Sequence, residues 1–128
     1  MSQSEIEFAI KDVQVAFAQL EYAIKVKAYF EKGHFDLSLL DRAVILEGHG
    51  ETEIPKGAIG SVEQLGLHTS VAFGVAFGTT AMVLDAALDL VGVSRDPDVD
   101  SEPSRLRTLI YMVRCAFAHL IQITILIN

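Results

Sequence analysis

From Val71 to Leu84 the chain runs fourteen residues without a charge. A helix of this composition is apolar on nearly every side, so it needs neighbours on more than one flank and belongs in the middle of a bundle or at an interface. An apolar run of about 10–14 residues is more often a buried helix than a membrane span, and Asp85 and Asp89 close this one. A second apolar stretch, Thr108–Ile127, carries Arg114 and His119 near its centre. Each ionised group there would cost about 2.5–3.5 kcal/mol in a bilayer. The N-terminus, Met1-Ser2-Gln3-Ser4-Glu5, lacks the basic and apolar regions of a signal peptide. The expectation is a cytoplasmic protein with buried helices and no membrane segment.

With 128 residues, 51% of them hydrophobic, the chain is sized for a single domain over 1–128 and has enough apolar material for a core. The same content excludes intrinsic disorder. Cys115 is the single cysteine, which excludes a disulfide framework and a cysteine-rich zinc site within one chain.

The helical signals come in order. Ser2 and Ser4 each have a glutamate three residues on, Glu5 and Glu7, at capping-box spacing. Ile6, Ile10, Val13, Phe17, Leu20 and Ile24 alternate steps of four and three, one stripe on a helix over 4–32 that Gly33 stops. A shorter helix is expected over 36–47, capped by Asp36, with Leu37, Leu39, Leu40 and Val44 inward. Residues 48–60 hold four glycines and a proline and read as loop, and 61–66 has room for one extra helical turn. His34 is expected to help cap the first helix and His68 to precede the third, which is expected over 69–91. In that third helix Gly74 and Gly78, four apart, admit a close backbone neighbour. The polar run 94–101 reads as loop, and a last helix starts at Glu102-Pro103. The β-branched tail 121–127 also suits a strand. The expected fold is all-α, an up-and-down four-helix bundle with one short extra helix.

Charge is distributed unevenly. The net charge is -7, yet residues 103–128 carry Arg105, Arg107 and Arg114 and no acid, so those 26 residues are +3 and the remainder is -10. Any bound anion is expected to meet the last helix; the alternative is that its arginines pair with acidic neighbours. At about 100° per residue, Leu106, Ile110, Val113, Phe117 and Leu120 form the expected core stripe of that helix. Thr108, Tyr111, Cys115, His119 and Gln122 lie opposite, with Arg107 and Arg114 on one flank.

Arg114-Cys115-Ala116-Phe117-Ala118-His119, an Arg-x4-His string on the last long helix and preceded by Tyr111-Met112-Val113, resembles the motif of the HEPN superfamily (higher eukaryote and prokaryote nucleotide-binding domains). The resemblance covers most of the chain loosely and 111–119 closely. It implies a homodimer through the last helix, whose paired copies form a shared cleft. Many members are metal-independent endoribonucleases, often toxins paired with an antitoxin, and others are non-catalytic RNA-binding or regulatory domains. Carried over by motif, Arg114 would stabilise phosphate charge and His119 would move the proton of the ribose 2′-hydroxyl or of the leaving oxygen. Arg107, Tyr111 and Cys115 would contact substrate. A guanidinium fork suits phosphate, and a histidine suits acid–base work near neutral pH. Five residues on a helix separate the two groups by about 140°, an arrangement a site shared across a dimer axis would relieve. The family usually has a polar residue, often asparagine, where Cys115 stands.

Other constellations are less specific. Cys115 and His119 sit one turn apart, as a nucleophile and base would, but a lone cysteine more often packs as a small hydrophobe. Asp85 and Asp89 share a face and are expected in ion pairs with the last helix or in solvent. The Gly48-His49-Gly50-Glu51-Thr52-Glu53 loop holds a histidine and two acids, read as mobile surface, and no phosphate-loop motif occurs. The expected function is RNA binding or metal-independent RNA cleavage at a dimer cleft, with no cofactor and no metal. The alternative is a catalytically inert bundle acting by protein–protein association, as a regulatory or antitoxin-type partner.

Overall fold

A computed structural model of the chain describes residues 2–48, 50, 52–57, 59–95 and 101–127, with Ala118 and 120–127 described by backbone alone. It is predominantly helical: α1 (Gln3–Glu31), α2 (Leu37–Leu40), α3 (Val62–Leu90) and α4 (Glu102–Ile127), with a hairpin of β1 (Val44–Leu46) and β2 (Thr52–Ile54) between α2 and α3. The long helices carry the architecture. α3 is central, and α1 and α4 pack against it with little contact between each other.

The ends of α1 are set by its sequence. Ser2 caps it: the Ser2 N–H donates to Glu5 Oε2 at 2.7 Å, and the Glu5 N–H donates to Ser2 Oγ at 3.2 Å. The Ser2 backbone and hydroxyl together hold the Glu5 carboxyl below its ordinary pKa. At the other end Gly33 takes φ +73°, and the His34 and Gly33 N–H groups return to the carbonyls of Tyr29 and Phe30. That is the six-to-one, five-to-two pattern of a Schellman stop. His34 therefore closes the helix through its backbone, while its ring meets Tyr29 edge-on.

α1 turns a different stripe toward α3 from the one its largest residues mark. Ile6, Ala9, Val13, Ala16, Leu20, Ala23, Lys27 and Phe30 are buried or half-buried, with strict heptad steps of three and four. Ile10, Phe17 and Ile24, three of the six residues expected inside, are exposed. Small side chains explain the rotation. Alanines at every second contact allow close approach, near enough for the Thr80 hydroxyl of α3 to donate to the Ala16 carbonyl at 3.3 Å. At the far end Phe30 packs over Gly66, where an added Cβ would lie 3.0 Å from the ring.

Two further segments differ from expectation. The helix expected over 36–47 is a single turn. Asp36 caps it as expected, its Oδ1 accepting from the Ser38 hydroxyl and N–H, and these bonds lower its pKa. Asp41 then accepts from the Gly57 N–H at 2.9 Å across the hairpin, and Val44–Leu46 pairs antiparallel with Thr52–Ile54 in the register Val44↔Ile54. The β-branched residues Val44 and Ile45 favour this extended state. α3 begins seven residues before the expected start, at a Ser61 cap. It absorbs the expected extra turn over 61–66, and His68 lies inside it. The tail is helical through Ile127. By length and composition α3 is also long and apolar enough to cross a membrane.

Two substitutions test this packing by urea denaturation. Ala16→Leu overfills the α1–α3 contact and is expected to cost about 1–3 kcal/mol. At Gly78 a Cβ would meet Phe117 at an ordinary 3.6 Å, so Gly78→Ala is expected to stabilise by about 0.5–1 kcal/mol, the helical cost of glycine.

Candidate functional site

The α3–α4 contact is organised around a buried acid. Asp85 closes the uncharged run of α3 and is 4% exposed. Its Oδ1 accepts from Arg107 Nε at 3.2 Å and its Oδ2 from Arg114 Nη1 at 3.3 Å. The Arg95 guanidinium stands 3.9 Å from Oδ2 and lies over the Tyr111 ring, 4.5 Å from its centroid. Arg107 is buried as deeply as the acid. Its Nη2 reaches Asp89 Oδ1 at 2.9 Å and its Nη1 donates to the Val93 carbonyl. That carbonyl is presented by the end of α3, where Gly92 takes φ +81° and the Val93 N–H returns to Leu88.

These contacts determine how α4 sits. Its buried and half-buried positions are Ser104, Arg107, Thr108, Ile110, Val113, Arg114 and Phe117. Phe117 stacks on Phe77, with ring centroids 4.4 Å apart. The expected core stripe holds for Ile110, Val113 and Phe117. Leu106 is exposed instead, because drawing Arg107 and Arg114 to Asp85 rotates the helix; the side chains of Leu120 and Gln122 lie outside the described residues. An isolated carboxylate under apolar helices would be prohibitively unstable. Here the acid has two direct guanidinium donors, and among the described residues no buried side-chain nitrogen or oxygen lacks a partner.

The candidate site residues are therefore divided. Arg107 is wholly engaged in this network. Arg114 gives one nitrogen to Asp85 and keeps a side chain 40% exposed. Tyr111 is exposed at the edge under Arg95, and Cys115 and His119 are exposed. Within the chain Asp85 gathers Arg107, Arg114 and Arg95, while His119 faces solvent one and a half turns beyond Arg114. Among the described residues the cluster holds three guanidinium groups and two carboxylates. The pairing of Asp85 and Asp89 with α4 is legible in their shared face. Arg95 carries no such signal, since it lies in a loop with no period. No set of three or more metal-ligating side chains occurs among the described residues, and His49 and Glu51 of the glycine loop lie outside them.

No family model, curated protein or solved structure matches the chain.

Asp85→Asn should leave buried Arg107 with only the exposed Asp89 as counter-charge, a loss of about 3–5 kcal/mol for breaking the buried pair. Asp89→Asn removes a carboxylate that is 72% exposed and should cost no more than about 1 kcal/mol. Chemical denaturation of the two variants side by side checks the contrast.

Proposed function

We propose that the chain works by protein–protein association through its helical faces, as an inert scaffold or regulatory partner. The observation that carries this reading is unburied apolar surface. The chain exposes 9282 Å² at a mass of 14.0 kDa, whereas a compact monomer of that mass exposes about 6,700 Å². Phe8, Val15, Phe17, Tyr22, Leu109 and Met112 are all among its exposed large side chains. The charge argument points the same way. Phosphate affinity rests on cations free to release counterions, and Asp85 and Asp89 largely neutralise the arginines gathered at α3–α4. An all-helical four-helix arrangement belongs to this proposal, completed only when a partner supplies helices. A cytoplasmic location belongs to it as well.

A second reading keeps the HEPN resemblance: a homodimer through α4 that binds or cleaves RNA without metal. It is favoured by the exposed part of Arg114 and by solvent-facing His119 on the same helix. Asp85 would then orient the Arg114 guanidinium toward phosphate, with His119 of either copy handling the proton.

RNA incubated with the protein in excess chelator separates the two. The association reading expects intact RNA, from wild type and from Arg114→Ala and His119→Ala alike. Chelator-resistant cleavage that disappears in both variants would replace it with the nuclease.

A further inference from the structure

On the side of the α1–α3 pair away from α4 runs an open apolar groove. Two adjoining hollows of 640 and 350 Å³ compose it, joined at Asp12 and Val83. One wall is Phe8, Asp12, Val15, Gln19 and Tyr22 of α1, at steps of four and three; the other includes Val75, Thr79, Val83, Ala86 and Leu90 of α3. Ala9, Ala16 and Ala23 of the α1–α3 contact form its floor, and the walls stand beside that contact. They form a second helical stripe on each, and a pair of such stripes is the seat for further helices in a bundle. From residue 5 to residue 26 the groove is about 30 Å long.

We infer that this groove is occupied by the same face of a second copy, giving a two-fold dimer whose centre is a four-helix bundle of α1 and α3 from each protomer. The inference rests on the association reading and names its partner and surface. Area is the first argument. The chain as a whole exposes about 2,600 Å² more than a compact monomer, against the roughly 800 Å² per partner that a standard interface needs, and this face holds Phe8, Val15, Tyr22, Val75 and Leu90 of its exposed large side chains. Shape is the second. Phe8, Val15, Tyr22 and Val75 are exposed ridges beside the hollow, so the face is both knob and hole, as a two-fold interface requires. Charge is the third, and it selects the orientation. The charged groove residues are Glu5 and Asp12, both toward one end, with Asp89 near that end on α3. An axis along the helices would set these acids against those of the partner. An axis across them runs each α1 antiparallel to its partner's α1, with Val15 and Thr79 near the axis, and separates the two Glu5 positions by about 30 Å and the two Asp12 positions by about 10 Å along the helices.

The trough on the other side of α1 is the contrasting surface. It is 230 Å³ and lined by Phe17, Leu20, Leu109, Ile110 and Val113 among others.

Light scattering on the purified chain is expected to give twice the 14.0 kDa protomer mass. The double variant Val15→Glu/Val75→Glu should halve it, while Leu109→Glu should leave it unchanged. Because these side chains are exposed in the protomer, helicity by circular dichroism should survive in each variant. In a Cys115→Ser background, Val15→Cys should form a disulfide-linked dimer on mild oxidation and Leu109→Cys should not. A wild-type chain monomeric at tens of micromolar overturns the inference, as does cross-linking at position 109 but not at 15. RNA cleavage, read separately, would sink the association reading without altering what the masses say about this groove.

Discussion

A carboxylate under helices is stable only if cations come to it, and Asp85 draws two from α4 and sets a third beside it. Almost everything about how α4 lies on α3 follows. Arg107 must enter the contact with its whole side chain, Arg114 must enter with part of it, and the Val93 carbonyl must stand where the remaining guanidinium nitrogen can use it. The glycine that turns the end of α3 provides that last position. The cluster is thus a registry device, fixing the rotation and the axial position of one helix on another, a role attested for buried polar groups. Apolar contacts alone would have chosen otherwise, since the largest aliphatic stripe of α4 includes Leu106 and the observed contact does not.

The same tension between size and fit governs α1. Its bulkiest residues, Ile10, Phe17 and Ile24, suggest one inward face, but the alanines between them permit a closer approach, and the helix pair takes it. Dispersion and close packing reward short interhelical distance, so a stripe of alanines flanked by Ile6, Val13 and Leu20 wins over a stripe of larger groups. The displaced large residues remain as surface and add to the exposed apolar area on which the functional reading depends.

Much of the helical content was legible in the sequence. Capping residues at Ser2 and Asp36, the stop at Gly33 and the start at Glu102 all mark real ends, and the uncharged run in α3 does indicate the central helix. What sequence periodicity does not resolve is which of two adjacent stripes faces inward, because that depends on the neighbour's shape. Nor does it resolve 36–47, where Leu37, Leu40 and Val44 fit a helical face but the Asp41–Gly57 bond and a partner strand at 52–54 exist only in three dimensions. At the candidate site, the Arg-x4-His string marks half-buried Arg114 and exposed His119, and the spacing of Asp85 and Asp89 marks the pairing with α4. The engagement of Arg107 needed the carbonyl of Val93, a backbone group no residue type announces.

The unequal connections between the long helices have a kinetic meaning. Eleven residues separate α3 from α4, and thirty separate α1 from α3. Closing the longer connection costs about 0.9 kcal/mol more in chain entropy if both behave as flexible loops. The α3–α4 hairpin, with its ion cluster beside the short loop, is therefore the more local unit, with the smaller closure cost. Until α1 is in place, the flank of α3 that carries Gly66 and Thr80, covered by Phe30 and Ala16 in the folded chain, is bare, and that interval is when the chain is most exposed to wrong partners.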